Sequence, residues 1–314
     1  EKFTRLIFVL PFIELLWVNI HIYFPIGIIL LVFFTIDSFF QHKSNFRYTG
    51  IFLIVLAACI LATFLNPNGL KGALYPLSVF QNYGYSIEEN QNIFFLWNFV
   101  HKQSIIFFFI AVPLLFVSLI LNLKRVLLVD WFISIFFTIL AMLSIRNFPL
   151  FVLATFIPFV KYTSSLNLFG ISKHIKIVLI VLLLFLALFE TQQVYVKKGF
   201  GLGVEKGAKD AADFFITNNL KGPIFNNFDI GSYLDYRLHP KEKVFVDGRP
   251  EAYPASFFQD IYIPMQLDEN RFEKENQKYK FNTIFFSHTD QTPWGENFIK
   301  QITNNKNWSI VYVD

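Results

Sequence analysis

From residue 6 to residue 193 the chain returns repeatedly to apolar runs of about the length that crosses a bilayer. Crossing roughly 30 Å of hydrocarbon as a helix takes roughly 20 residues. Runs of that order occupy 47–65, 103–122, 126–144 and 175–193, with a shorter one at 147–161. The stretch 6–40 would reach about 52 Å as one helix, too long for one pass and short for two. A break near Asn19-Ile20-His21, ahead of Pro25, divides it. Backbone groups in hydrocarbon must bond to one another, so the runs are predicted to be helices, about seven in all. A single water-soluble globule and a disordered chain are both excluded. Only 16% of the 314 residues are charged and 54% are hydrophobic, whereas soluble domains average about 25% charge.

The charges are unevenly shared. Residues 1–196 hold 12 Lys/Arg and 7 Asp/Glu, and residues 197–314 hold 15 and 16, together the 27 and 23 of the whole chain. The expectation is a transmembrane helical region, 1–196, followed by a small α/β domain, 197–314. Nine basic residues (Lys2, Arg5, Lys43, Arg47, Lys124, Arg125, Lys161, Lys173, Lys176) fall on one side of the runs, and three (Lys71, Lys102, Arg146) on the other. The richer side is expected to be cytoplasmic. The loop 66–102 and the domain from 197 onward then face outward from a cell (inner) membrane, with membrane lipid as the first partner. The lone Cys59 lies in an apolar run and reads as inert packing. The chain begins at Glu1, without Met and without a recognisable signal segment, and the native N-terminus is expected to lie upstream.

Polar residues inside apolar runs are expensive and therefore informative. Glu14, Trp17 and His21 are spaced i, i+3, i+7 and share one helix face. Two readings stand: a polar face packed inside the bundle, or part of an outward-facing substrate site. Asp37 and Asp130, near run ends beside basic residues, read as interfacial pairs. The outward loop opens with the turn Asn66-Pro67-Asn68-Gly69 and carries Glu88-Glu89 ahead of an aromatic cluster. A carboxylate there would deprotonate a hydroxyl or hold a divalent cation against a phosphate; the plainer reading is a hydrated charge pair. Arg146, before Asn147-Phe148-Pro149, is either a phosphate clamp or a topology anchor.

After the linker Lys197–Gly203 the pattern alternates. Helices are expected over 205–219, 231–238, 255–263, 269–279 and 293–304, and strands over 223–225, 243–246, 282–286 and 308–313. Such alternation implies a mostly parallel sheet covered by helices. Ligands of such sheets bind beyond the carboxyl ends of the strands. Asn226, Asn227 and Asp229 follow the first strand, Asp247 and Arg249 the second, and His288 and Asp290 the third. Amides and carboxylates suit sugar hydroxyls, and the Arg fork suits an anion. The alternative is a structural network tying strand ends together. His288, Asp290 and Asp247 lack a dedicated ligand spacing, so no metal site is assigned. No feature points to nucleic acid.

Two stretches of the outward domain carry a family resemblance: Asn226-Asn227-Phe228-Asp229-Ile230-Gly231-Ser232-Tyr233-Leu234, and Val244-Phe245-Val246-Asp247-Gly248-Arg249-Pro250-Glu251-Ala252-Tyr253. They resemble the extracytoplasmic tail of large bacterial polytopic proteins grouped with GT-C-type membrane glycosyltransferases. Trp17-Val18-Asn19-Ile20-His21 resembles the Trp-x-Asn-x-His element of that group, Asn66-Pro67-Asn68-Gly69 its Asn-Pro-x-Gly turn, and Arg146-Asn147-Phe148-Pro149 a later Arg-x-x-Pro element. The resemblance implies a polyprenyl-phosphate-linked sugar donor and a glycan or protein acceptor at the outer membrane face. It also implies a catalytic acidic residue in a first outward loop. None is recognisable before Glu14, so that loop lies upstream or the chain lacks the activity. On chemistry alone Glu88 and Glu89 are the catalytic candidates. The competing reading is a non-catalytic, membrane-anchored glycan-binding or assembly protein, and a transporter comes third.

Overall fold

A computed structural model describes residues 5–41, 46–78, 83–85, 87–99, 103–165, 181, 185, 188, 210–290 and 292–314. The chain divides into two compact units, Glu1–Gln81 with Ser86–Gly170, and Asn82–Tyr85 with Ile171–Asp314. The linker Lys197–Gly203, and the expected span 175–193 apart from positions 181, 185 and 188, lie outside the described residues.

The first unit is helical. Its elements are α1 (Leu10–Ile20), α2 (Pro25–Gln41), α3 (Arg47–Thr63), α4 (Gly69–Ser78), α5 (Ile93–Phe99), α6 (Gln103–Leu121), α7 (Leu128–Leu143) and α8 (Phe148–Ser165). Short 3-10 turns sit at Glu88–Asn90 and Ile145–Asn147. Local chemistry sets several ends. His21 turns extended after α1, and Pro25 opens α2 with its fixed φ. The Asn66 carboxamide donates to the Thr63 and Gly69 carbonyls, and its oxygen accepts from Asn68 N–H, closing the turn between α3 and α4. The core runs through Phe108, Leu115 and Leu119 of α6, Val129, Phe137 and Ala141 of α7, and Phe151 and Tyr162 of α8. A second cluster joins Leu31 to Val55 and Cys59.

The expected bundle of about seven spans is not what forms. Among the described residues only α6 is long and apolar enough to cross a membrane. α1 has 11 residues, α7 has 16, and α2 and α3 have 17 each. Seventeen residues rise about 26 Å, short of the roughly 30 Å of hydrocarbon. Turns cut the apolar runs before they reach spanning length. α8, at 18 residues, ends in the polar Lys161-Tyr162-Thr163-Ser164-Ser165.

The second unit is α/β with a smaller sheet than expected. Its elements are α9 (Asp210–Thr217), β1 (Ile224–Asn226), α10 (Phe228–Leu238), α11 (Ile263–Leu267), α12 (Glu269–Tyr279), β2 (Thr283–Phe285) and α13 (Pro293–Asn304), with a π-helical turn at Phe257–Tyr262 before α11. β1 and β2 are parallel, with Phe225 opposite Ile284. Val244 adds a single parallel bridge to Ile224. Only two of the four expected strands form. The amides of Phe245 and Val246 bond to the Asn226 side chain instead of a continuous ladder. Ile310, Val311 and Val313 are 63–73% exposed and pair with no strand. Asp268 caps α12 through Asn270 N–H, and Thr292 caps α13 through Gly295 N–H, each worth about 1 kcal/mol.

Phe225, fully buried, is the centre of this unit. Its ring lies 5.0–6.3 Å from those of Phe245, Tyr262, Phe272, Phe281, Phe286 and Phe298. α10 packs tightly on the segment after Val244. A Cβ on Gly231 would stand 2.0 Å from the Val246 carbonyl oxygen, so the position admits only glycine. Phe225→Ala is expected to cost roughly 3–5 kcal/mol through the cavity it leaves. Denaturant unfolding of the intact chain, followed by near-UV circular dichroism, measures it.

Candidate functional site

In the helical unit four turns converge on one end. The Asn19 amide donates to the Leu65 carbonyl at 3.0 Å, joining the end of α1 to the Asn66-Pro67 turn. The Tyr23 hydroxyl donates to Asn147 Oδ1 at 2.9 Å, joining the start of α2 to the Ile145–Asn147 turn. The Ser144 hydroxyl donates to the Glu89 carbonyl at 2.7 Å, and Ile145 N–H to the Gln91 carbonyl at 3.4 Å. These bonds fasten the acidic turn Glu88–Asn90 to the turn that carries Arg146. Glu89, Arg146 and His21 are all exposed there. Asn147 is buried and bonds onward to the Leu140 carbonyl at 2.9 Å.

Glu14 lies deeper on α1. It is 3% exposed, and its Oε1 has no hydrogen-bond partner among the described residues. Gly27 of α2 makes its room, since a Cβ there would stand 2.5 Å from Glu14 Oε2. Trp17 borders the same space. The opposite end of the unit is fastened differently. Asp130 accepts from Tyr162 OH at 2.5 Å and Lys161 Nζ at 3.0 Å, and Asp37 accepts from Val129 N–H at 3.3 Å.

The second unit turns most of its expected ligand-binding residues inward. Asn226 is fully buried. Its amide donates to the Val246 carbonyl at 2.7 Å and the Asn227 carbonyl at 2.9 Å, and its oxygen accepts from Phe245 N–H at 2.9 Å. Its capacity is consumed by the backbone, and the same holds in part for Asn227, which accepts from Ser287 N–H at 3.1 Å. Asp247, 4% exposed, accepts from the Arg249 backbone at 3.0 Å and from its guanidinium at 3.2 Å. Those bonds, against the opposing effect of burial, hold its carboxyl below the usual 3.8. Asp290, buried, accepts from Thr292 N–H and hydroxyl at 2.9 and 2.6 Å. Asp229, in the first turn of α10, and His288 are exposed. Packing around the Asp229 carboxyl and the neighbouring Asp290 charge raise its pKa above 3.8.

Among the described residues no three His, Cys, Asp or Glu side chains come together to hold a metal ion.

Comparison with protein-family models, with curated proteins and with solved structures returns no match for this chain.

The residues that the motifs did not announce are Tyr23, Ser144 and Tyr85. The first two join turns. Tyr85 stacks on Phe228 with ring centroids 4.2 Å apart, and lies 5.1 Å from Phe258, 5.8 Å from Trp294 and 6.3 Å from Tyr262. It stands beyond the carboxyl ends of β1 and β2, where a ligand was expected. An open groove of about 530 Å³ lies at the amino ends, between Pro223, Lys241, Lys243 and Tyr279.

Asp247→Asn removes a carboxylate whose folded pKa is depressed. Its contribution is present above the ordinary carboxylate value and lost as pH falls through the lower folded value. The variant is expected to melt below wild type at neutral pH. The two melting curves should converge in acid below pH 3.8. Thermal melts of both proteins from neutral pH into acid measure it.

Proposed function

We propose that the chain is a membrane-embedded, glycosyltransferase-like protein. Its working site, in this reading, is the end of the helical unit where the Glu88–Asn90 and Ile145–Asn147 turns are joined. The observation that carries the reading is that junction, because it brings an exposed carboxylate and an exposed guanidinium from distant sequence positions to one place. Exposed apolar surface supports the membrane assignment. Most of α6 is not buried within the fold, and Phe107, Ile110, Leu114 and Ile120 are 52–65% exposed. A surface of that kind fits lipid tails. In this reading the junction faces the outer side of a bacterial inner membrane.

The donor in this reading is a sugar linked to a polyprenyl phosphate. Glu88 or Glu89 takes the proton of an acceptor hydroxyl on a glycan or protein. The acceptor oxygen bonds to the anomeric carbon as the bond from that carbon to the phosphate oxygen breaks. Arg146 holds the departing polyprenyl phosphate with two parallel N–H donors. Exposed His21, just after α1, stands at this end, while Glu14 and Trp17 pack deeper against Gly27. The competing reading, a glycan-binding module in the second unit, has weaker support, because Asn226 and the Asp247–Arg249 pair are engaged with each other and with the backbone.

General-base catalysis contributes about 10²–10⁴-fold. Glu88→Gln or Glu89→Gln should therefore lower sugar transfer from a polyprenyl-phosphate donor in proteoliposomes by at least ~10²-fold. Arg146→Ala should lower it too. Full activity in both Gln variants would falsify the assignment of the base.

A further inference from the structure

The second unit is discontinuous. It takes residues Asn82–Tyr85 from the middle of the helical region's sequence. Tyr85 sits in an aromatic socket of four residues from three separate places: Phe228 at the start of α10, Phe258 and Tyr262 in the π-helical turn, and Trp294 at the start of α13. Phe258 and Tyr262 are at most 1% exposed. The socket walls are thus fixed by the core. Tyr85 itself is only half-buried.

Two further features make the fit selective. Gly84 has φ +78°, and a Cβ there would stand 2.4 Å from the Ala255 carbonyl oxygen. The conformation and the space both require glycine. Asp229 and Asp290 lie close enough to the phenol to disfavour its ionised form. Burial first, and then these two carboxylates, push the Tyr85 hydroxyl up from its ordinary value. Two carboxylates so placed favour a neutral ring and disfavour an anion. The socket also stands where α/β sheets place their ligands.

We propose that the carboxyl edge of the second unit is a recognition site for a Gly-Tyr peptide segment, and that residues 83–85 of the same chain are its exchangeable occupant. Glycine supplies the close approach, the tyrosyl ring fills the socket, and the two carboxylates exclude a phosphorylated or ionised ring. Aromatic pairs of this geometry contribute about 0.5–1.5 kcal/mol each beyond the area they bury. Several such pairs suffice for recognition by a short segment.

The test uses the intact chain in detergent and a labelled peptide, Asn-Tyr-Gly-Tyr-Ser. Wild type, with its socket filled, should bind little of it. Tyr85→Ala should bind it saturably. Replacing the peptide's second Tyr with Ala, its Gly with Ala, or that Tyr with phosphotyrosine should each weaken binding by tenfold or more. Tyr85→Phe, which keeps the ring, should behave as wild type. If Tyr85→Ala does not fold alone, adding the peptide during refolding should rescue it. The proposal is overturned if a folded Tyr85→Ala protein ignores the peptide. It is also overturned if the phosphotyrosine peptide binds as well as the plain one, or if an unfolded variant is not rescued. In any of those cases Tyr85 is ordinary core.

Discussion

A backbone N–H or C=O withdrawn from water must find a partner. In the helical unit that requirement shapes the turns as much as the helices. The helices satisfy themselves, and the turns are satisfied by polar side chains from elsewhere in the fold. Asn19 reaches the Leu65 carbonyl and Ser144 the Glu89 carbonyl. At the other end Asn122 reaches the Tyr162 carbonyl, Asp37 the Val129 amide, and the Tyr162 hydroxyl the Leu127 amide. Polar residues in an apolar stretch therefore have a structural duty first. The same bonds then decide which turns are neighbours, and so where exposed Glu89 and Arg146 come to stand.

The second unit uses the principle in a more concentrated form. Asn226 bonds to three different main-chain positions across the edge of β1, and the Tyr262 hydroxyl donates to its carbonyl at 3.1 Å. One carboxamide substitutes for the ladder that a third strand would have supplied. The aromatic cluster around Phe225 supplies the burial that a two-stranded sheet cannot. Polar edge and aromatic core meet at Tyr262, which belongs to both.

Several helix ends were legible because their signals are local. Pro25, the Asn66-Pro67 turn, Asp268 and Thr292-Pro293 each mark a boundary within a few residues, and α13 occupies the expected 293–304. Span number was not legible, since hydropathy reports that a segment is apolar and not where its helix stops. The strands at 243–246 and 308–313 were misread for a related reason. A helix is defined by bonds within itself and a strand by its neighbour. Nothing near Phe245 and Val246 says that their neighbour is the side chain of Asn226. The motifs at 17–21, 66–69 and 146–149 all fall at one end of the helical unit. Their joining bonds, from Tyr23 and Ser144, have no signature. Tyr85 carried only a weak signal, one glycine between two tyrosines.

The placement of Tyr85 has a consequence for how the protein is made. Its stacking partner Phe228 is about 140 residues later, so the ribosome delivers the key long before the lock. Bringing such distant points together costs roughly (3/2)RT ln n, about 4 kcal/mol, before any contact compensates it. The second unit can therefore complete itself only late, after α13 has supplied Trp294, by reaching back to a segment synthesised near the start. Its assembly is a closing step, and shortening the chain from its C-terminal end removes the wall against which that step closes.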